Sequence, residues 1–250
     1  VQARGRVQVS SQSGVEGDRI NGHSAAIRAY AAFLKWDGPR GVEFARQALV
    51  HLDEKDLAVR GLAAMVLALG LYGSGDLEAA GRIFAEAIAA GKATNDRYIA
   101  INALCELADL KITLGQLHQA ATTCQEALQL ATVSQQRDRG QLPIAGYAYG
   151  RMSVVLCQWN RLTDAVHYAQ RGIELCRHWG QVDALILGLV FLAGALLAAG
   201  DMDGAFATIQ EAKRIASDVS PKYEAFVSAK EARLRIMTGD LTGAIRWAQE

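Results

Sequence analysis

The chain has 250 residues, and its 26 lysines and arginines balance its 26 aspartates and glutamates, so the formal net charge is zero. A domain that binds nucleic acid usually carries a basic face, so this balance of charges argues against direct nucleic-acid binding by the chain. It also gives no support to a role at a membrane surface. The four cysteines form no Cys-x-x-Cys pair and have no histidine at ligand spacing. We therefore expect buried, reduced and metal-free cysteines, as in a cytoplasmic protein, and no cofactor.

The first residues of the chain show the weakest sequence pattern for secondary structure. Its first 19 residues are polar and rich in glycine and serine, and they contain no signal peptide. We treat residues 1–23 as a poorly specified leader. A first helix is expected from Ser24 to Trp36 and a second from Val42 to Leu52, on either side of a turn that contains Pro39.

A turn motif recurs along the rest of the chain. Its five copies are Gly75-Asp76-Leu77-Glu78-Ala79-Ala80, Gly115-Gln116-Leu117-His118-Gln119-Ala120, Asn160-Arg161-Leu162-Thr163-Asp164-Ala165, Gly200-Asp201-Met202-Asp203-Gly204-Ala205 and Gly239-Asp240-Leu241-Thr242-Gly243-Ala244. The steps between copies are 40, 45, 40 and 39 residues. A fixed period in this range indicates a stack of repeated helix pairs. The glycine ends one helix where a left-handed backbone costs least, and the polar residue after it can cap the next.

Apolar residues flank every turn at helical spacing. After the turn they recur at i, i+3, i+4 and i+7, and before it a large residue is followed by a small one. These large–small pairs are Leu67-Ala68, Leu107-Ala108, Met152-Ser153 and Leu192-Ala193. The pattern predicts an all-α fold, a right-handed superhelix of about six antiparallel helix pairs (an α-solenoid). Close helix contacts should bury the first alanine after each turn, namely Ala80, Ala120, Ala165 and Ala205.

The predicted repeat domain is single and continuous over residues 24–250. Its repeats lie at about 24–55, 56–95, 96–138, 142–180, 181–219 and 221–250, and we expect the last to be truncated at its C-terminal end. The polar run from Ser134 to Gln141 predicts a longer surface loop. The apolar stretch from Ala184 to Ala199 is shorter than the ~20 residues of a membrane span and predicts a buried helix.

Candidate binding residues follow from the helix-pair register. The first helix of each pair should line the concave side of the stack, where side chains from several repeats converge. The predicted site consists of polar and aromatic residues of the third and fourth repeats, with Met65, Leu69, Val190 and Phe191 as apolar walls. Its members are Asn102, Glu106, Asp109, Tyr147, Arg151 and Gln158.

Each of these residues also has a plainer interpretation. Glu106 and Asp109 share a helix face, which is equally typical of a solvated surface. Arg151 could clamp a carboxylate or phosphate, or pair with one of those two acids. Tyr147 and Tyr149 could stack on a ligand or pack between helices. The helix-interior glycines at 150 and 194 could leave room for a ligand or permit close helix contact.

The large–small pairs and the alanines after the turns resemble the tetratricopeptide repeat (TPR), although the period here exceeds the ~34 residues of the standard repeat. Several strings narrow the resemblance to the repeat domain of MalT-like, LuxR-type ATP-dependent transcriptional regulators, over about residues 22–250. They are Ala26–Tyr30, Asp56–Ala64, Ser74–Ala80, Gly115–Ala121, Glu126–Ala131, Trp159–Leu162, Gly172–Leu175 and Trp179–Gly180.

This resemblance implies a function. In that family the repeat superhelix takes up an inducer or a regulatory protein, between a nucleotide-binding switch and a helix-turn-helix that binds promoters. The chain contains no Gly-x-x-x-x-Gly-Lys-Ser/Thr phosphate loop, so nucleotide binding is not assigned to it. We expect a non-catalytic sensor domain that binds a small-molecule inducer or a regulatory protein in its groove. The alternative is a stand-alone TPR adaptor that binds a peptide or protein partner.

Overall fold

In this computed structural model the backbone is described for residues 2–135 and 138–249, and the side chains for residues 17–132, 140–177 and 180–249. Twelve helices lie in the described residues, in successive pairs. They are α1 (Gln2–Leu34), α2 (Gly38–His51), α3 (Leu57–Gly73), α4 (Leu77–Ala93), α5 (Arg97–Thr113), α6 (Leu117–Leu130), α7 (Ala145–Gln158), α8 (Leu162–Trp179), α9 (Val182–Ala198), α10 (Met202–Val219), α11 (Pro221–Met237) and α12 (Leu241–Gln249). The all-α, TPR-like fold class that the sequence predicts is confirmed.

The turn inside each pair has one conformation. The backbone adopts a positive φ at the same place in all six pairs, at Trp36, Gly75, Gly115, Asn160, Gly200 and Gly239. An L side chain is strained there, which explains why four of the six residues are glycine. The aspartate that follows caps the next helix in several repeats; the carboxylates of Asp76 and Asp201 accept hydrogen bonds from the backbone N–H groups of Ala79 and Gly204.

The segment between α6 and α7 differs from its prediction. We expected a surface loop from Ser134 to Gln141, but this segment takes part in a two-stranded antiparallel hairpin, β1 (Thr132–Gln135) and β2 (Asp138–Gln141). The polar composition that marks a loop does not prevent strand pairing, because the backbone groups bond to each other. The first helix also differs, since α1 begins at Gln2 rather than near Ser24.

The helices form two compact units, Val1–Leu110 and Lys111–Glu250. In the first unit, apolar side chains of α3 and α4 pack together with Leu110 of α5 around Phe84, which is fully buried. Gly91 of α4 meets α5 so closely that an added Cβ would lie 2.7 Å from the backbone nitrogen of Ala100. The close approach therefore depends on the missing side chain.

In the second unit the core centres on α9, α10 and α11. It contains Ile186, Leu189, Ile209 and Val227, each almost completely buried. Helix α9, the most apolar of the chain, thus packs inside the unit as predicted, and no helix in the described part of the chain is long and apolar enough to cross a membrane. The predicted burial of Ala80, Ala120, Ala165 and Ala205 is also confirmed, because each is 0% exposed.

Candidate functional site

The predicted site residues lie on the first helices of their pairs. Equivalent positions stand the same distance before the alanine that follows each turn, and in every pair they are spaced i, i+4, i+7, which is one helix face. We call them the inner positions. They are Asn102, Glu106 and Asp109 on α5; Tyr147, Arg151 and Val154 on α7; Leu187, Phe191 and Gly194 on α9; and Phe226, Lys230 and Arg233 on α11.

In the first compact unit, the inner positions of α5 are all half-buried. The hydroxyl of Tyr72, in the last turn of α3, donates a hydrogen bond to Oδ2 of Asp109 at 3.1 Å. This bond links the first helices of two consecutive repeats. One expected wall of the site is not accessible, because Met65 of α3 is a core residue, 3% exposed. Met65 is therefore not an apolar wall of a binding surface.

The second compact unit has a tyrosine–aspartate link between α7 and α9, at a different place in the repeat. The hydroxyl of Tyr147 donates to Oδ2 of Asp183 at 3.2 Å, again between consecutive first helices. One turn further along α7, the guanidinium carbon of Arg151 lies 5.0 Å from the ring centre of Phe191 on α9. Arg151 is only 6% exposed, so its charge is held against an aromatic face rather than presented to solvent. Gln158, at the end of α7, is exposed.

The second predicted tyrosine belongs to another surface. Tyr149 donates its hydroxyl to Oε1 of Gln141 at 3.0 Å and packs against the ring of Tyr168 on α8, with 5.4 Å between the ring centres. It therefore follows the plainer interpretation, packing between helices, and does not share the face of Tyr147. Residues two apart on an α-helix are separated by about 200° around its axis, so this separation was available from the sequence.

The two interior glycines have different roles. A Cβ added to Gly150 would lie 2.7 Å from Cδ2 of Phe191, so this glycine permits the close contact between α7 and α9. A Cβ added to Gly194 would meet no atom within 4 Å among the described residues. Gly194 therefore opens space on the inner face of α9, between the inner positions of α7 and α11.

The last repeat contains a buried glutamate, Glu231, with a set of polar partners that the sequence did not predict. Glu231 stands where the other repeats carry Leu67, Leu107, Met152 and Leu192, and it is 6% exposed. Its carboxylate accepts hydrogen bonds from Nε2 of Gln210 at 3.0 Å, Nζ of Lys213 at 3.1 Å and Nη2 of Arg235 at 2.6 Å. The break in the large–small pattern was the available signal.

The electrostatics of this cluster favour the ionised acid. Burial opposes ionisation of Glu231, but the hydrogen bonds and charges of Arg235 and Lys213 outweigh it and lower the pKa of the carboxyl. Arg235 also donates to Oδ2 of Asp240 at 2.8 Å, which joins α11 to the turn before α12. The cluster is internally satisfied and ties α10, α11 and α12 together, so we assign it a structural role.

The cysteines behave largely as expected. Cys105, Cys124 and Cys176 are buried, whereas Cys157 is only half-buried, so the prediction fails for that residue. Burial raises the pKa of the Cys176 thiol to about 12, which keeps it protonated and unreactive at neutral pH. Among the described residues, no group of three or more His, Cys, Asp or Glu side chains is arranged to hold a metal ion.

The fold and these sequence features match known proteins. The chain is 25% identical over 227 residues to the HTH-type transcriptional regulator MalT of Yersinia pestis (strain Pestoides F), a match that covers 90% of the chain and 25% of the relative. The chain thus spans about a quarter of the length of the MalT relatives it matches.

Solved structures show the same fold at low identity. The apo form of RapI superposes with a TM-score of 0.71 at 14% identity, over 98% of this chain and 86% of RapI. A Rap protein complexed with competence and sporulation factor gives 0.71 at 13% identity, over 89% and 61% of the two chains. The family model of the MalT-like TPR region matches residues 22–250, and the chain therefore belongs to that family.

Proposed function

We propose that the chain is a non-catalytic sensor domain of a MalT-like transcriptional regulator, and that it binds an inducer or a regulatory partner through the inner positions of its first helices, taken within each compact unit by itself. The observation that carries the proposal is the set of polar and aromatic residues at these positions, within a domain of the MalT-like TPR family. Membership of the family indicates a domain of a transcriptional regulator. The inner positions supply hydrogen-bond donors, acceptors and aromatic rings that a ligand or partner can contact.

Each compact unit has its own set of candidate residues. In the first unit they are Asn102, Glu106 and Asp109. In the second unit Tyr147 is half-buried, Arg151 is buried against Phe191, and Gln158 is exposed one turn beyond the inner positions. The Tyr–Asp bonds between consecutive first helices hold Asp109 and Tyr147 in place before any ligand arrives. Such preorganisation reduces the entropy that binding would otherwise cost.

The roles of Arg151 and Gln158 differ in this proposal. Arg151 is buried against the ring of Phe191. It therefore positions that ring and contributes a positive electrostatic potential without being exposed. An Arg151→Ala variant would disturb packing as well as charge, so a loss of binding in that variant could not be assigned to direct contact. Gln158 is exposed and can make direct contact without supporting the core, which makes it the cleaner residue to test.

Catalysis, nucleic-acid binding and a nucleotide site are not part of the proposal. The chain carries no net charge with which to displace counterions from DNA, so promoter recognition would belong to another domain of the full regulator. We place the regulator in the cytoplasm, where promoters and inducers meet. A stand-alone adaptor is the alternative, and the sequence of the full gene distinguishes the two hypotheses. A phosphate loop upstream and a helix-turn-helix downstream support the regulator, whereas their absence supports the adaptor.

A binding experiment tests the proposed surface. The chain is screened by thermal shift against a panel of defined cellular metabolites, and each hit is titrated by calorimetry against wild type, Gln158→Ala and the control Gln170→Ala. Gln170 is an exposed glutamine of α8, a second helix. We expect Gln158→Ala to weaken a hit at least tenfold, a loss of about 1.4 kcal/mol, and Gln170→Ala to change it little. Equal effects of the two variants would refute the assignment of the face.

A further inference from the structure

Helix α1 has an apolar stripe on the side that faces away from its core contacts. Its buried residues lie along one side of the helix; they are Gly22, Ala25, Ala26, Ala29 and Ala32. On the opposite side Ile20, Ile27 and Leu34 recur every seven residues, the spacing typical of helices that pack along each other. The residues between them that lie within about 60° of the same line are His23, Ser24, Tyr30 and Ala31. We call these seven residues the α1 stripe.

The large side chains of the α1 stripe are exposed. Ile20, Ile27 and Leu34 are 65%, 68% and 56% exposed, and Tyr30 is 39% exposed. Scattered apolar side chains are ordinary on a protein surface, but a contiguous row of them marks an interaction surface. The basic residues nearest to the stripe lie roughly 80–100° around the helix from Ile27, at its margins; they are Arg19, Arg28 and Lys35. The stripe itself contains no carboxylate, lysine or arginine, so its partner must bring apolar side chains.

The α1 stripe contrasts with the equivalent face of α5. Ile27 stands as far before Gly41 as Glu106 stands before Ala120, so it is the equivalent of a middle inner position. The inner positions of α5 are polar, whereas α1 presents an aliphatic side chain between a histidine and a tyrosine. The stripe therefore suits a different kind of partner from an inducer held by polar groups, and the inference drawn from it goes beyond the proposed function.

We propose that the α1 stripe pairs with the α1 stripe of a second copy of the chain, with the two helices antiparallel and centred on Ile27. In a two-fold contact one surface meets itself, so each residue must suit the residue that the axis places beside it. An axis at Ile27 places Ile20 beside Leu34 of the second copy, because the two lie at equal distances on either side of the centre. The three aliphatic residues of each helix thus match those of the other.

The remaining side chains of the α1 stripe match in size. The same axis places Tyr30 beside Ser24 of the second copy and His23 beside Ala31 of the second copy. Each large side chain meets a small one, as interlocking helix surfaces require. A parallel pair would instead set tyrosine against tyrosine and histidine against histidine. This self-complementarity selects a second copy, in the antiparallel orientation, as the occupant of the stripe.

The size of the contact sets its expected strength. The stripe extends over roughly 21 Å of one helix that is about 10 Å wide. This area is below the ~800 Å² that each partner contributes to a standard interface, so we expect a weak dimer that forms at high concentration. Because the contact is apolar, the dimer should not weaken as salt screens the surrounding charges.

Analytical ultracentrifugation of the whole chain tests the pairing. Sedimentation velocity is measured from about 1 to about 300 µM chain, a range that brackets a weak dimer. Ile27→Glu places a carboxylate at the centre of the stripe. Val50→Glu is the matched control, because Val50 is a branched aliphatic residue of α2, 79% exposed and outside the stripe. Circular dichroism confirms that both variants are folded, and each series is repeated at about 50 and about 500 mM salt.

A charge pair tests the antiparallel orientation. Ile20→Glu and Leu34→Lys are prepared singly and together. In an antiparallel pair the new carboxylate of one copy lies beside the new ammonium group of the other, at both ends of the contact. In a parallel pair, like charges would meet at both ends. We therefore expect each single variant to dimerise more weakly than wild type and the combined variant to dimerise more tightly than either.

The outcomes separate the proposal from its alternatives. We expect wild type and Val50→Glu to dimerise alike at both salt concentrations, and Ile27→Glu to raise the dissociation constant of the dimer at least tenfold. A wild-type chain that stays monomeric over the whole range would leave the stripe to another protein or another segment and would overturn the proposal. Equal losses in Ile27→Glu and Val50→Glu, a dimer weakened by salt, or a combined variant no tighter than the single ones would overturn it as well. Gln158→Ala, read with metabolite hits as above, reports on the proposed function separately.

Discussion

The hydroxyl of Tyr147 on α7 donates a hydrogen bond to Oδ2 of Asp183 on α9 at 3.2 Å, across 36 residues of sequence. The same relationship joins Tyr72 on α3 to Asp109 on α5, at 3.1 Å and across 37 residues. Both bonds connect the first helices of consecutive repeats. Each bond thus joins two neighbouring first helices through side chains, in addition to the buried helix contacts.

A double-mutant cycle measures this link. Tyr147→Phe removes one hydroxyl and leaves Asp183 half-buried, so we expect the free energy of unfolding to fall by about 0.5–1.5 kcal/mol. Asp183→Asn should lower stability by a similar amount. Because both changes break one bond, the double variant should lose less than the sum of the two, as read from urea denaturation. Strict additivity would show that the bond contributes nothing.

The two interior glycines give opposite predictions. Gly194→Ala adds a methyl group to open space and improves helix propensity, so it should stabilise the chain by about 0.5–1 kcal/mol. Gly150→Ala would force Phe191 to move, and this overpacking should cost about 1–3 kcal/mol, more than the propensity gain. Thermal unfolding of the two variants in parallel is the measurement. A stabilising Gly150→Ala would contradict the close contact between α7 and α9.

Ser153 should be dispensable. It is 1% exposed, and within the described part of the chain its hydroxyl has no hydrogen-bond partner, whereas the equivalent residues Ala68, Ala108 and Ala193 are apolar. Removing a buried, unsatisfied hydroxyl removes its desolvation cost, so Ser153→Ala should be neutral or raise the denaturation midpoint. The reverse change, Ala193→Ser, should destabilise by about 1–3 kcal/mol. A loss of stability in Ser153→Ala would reveal a partner for the hydroxyl.

The Glu231 cluster predicts a pH-dependent contribution to stability. The pKa of the Glu231 carboxyl is lowered in the folded chain. Its stabilising effect is therefore fully present above the ordinary carboxyl pKa of about 4.3 and is lost as the pH falls through the pKa of the folded state. At neutral pH, Glu231→Gln should cost about 1.5–3 kcal/mol because Lys213 and Arg235 lose the negative charge of their acceptor.

Urea denaturation at neutral pH and below the lowered pKa checks this contribution. The difference between wild type and Glu231→Gln should shrink in acid. Glu54→Gln, at an exposed carboxylate of the connection between α2 and α3, serves as the control and should change little at either pH. A difference of constant size would mean that Glu231 does not titrate with folding.

The sequence predicted the repeat and its register because both rest on strong local signals. The positive φ at Gly75 and its equivalents, and the complete burial of Ala80 and Ala120, follow from the spacing alone. The hairpin between α6 and α7 could not be predicted, since strand pairing there arises from backbone hydrogen bonds between polar residues.

Side-chain partners were harder to predict than helix faces. The face of Tyr147 and Arg151 was correctly assigned to a first helix, but the burial of Arg151 depends on Phe191, forty residues away and in another repeat. The Glu231 cluster depends on three side chains from two helices. Spacing within one helix contains no information about such contacts.

The central claim is that the first helices, rather than the second, form the binding surface. Photo-crosslinking in living cells tests it most directly. The photoreactive amino acid p-benzoylphenylalanine is placed at Asn102 or Gln158 on first helices, or at the exposed glutamines Gln125 or Gln170 on second helices. The chain is irradiated in its native host, purified and weighed by intact mass spectrometry, which detects small-molecule and protein adducts alike. We predict discrete adducts at Asn102 and Gln158 and none at Gln125 and Gln170; adducts confined to the second helices, or none at the first, would contradict the account.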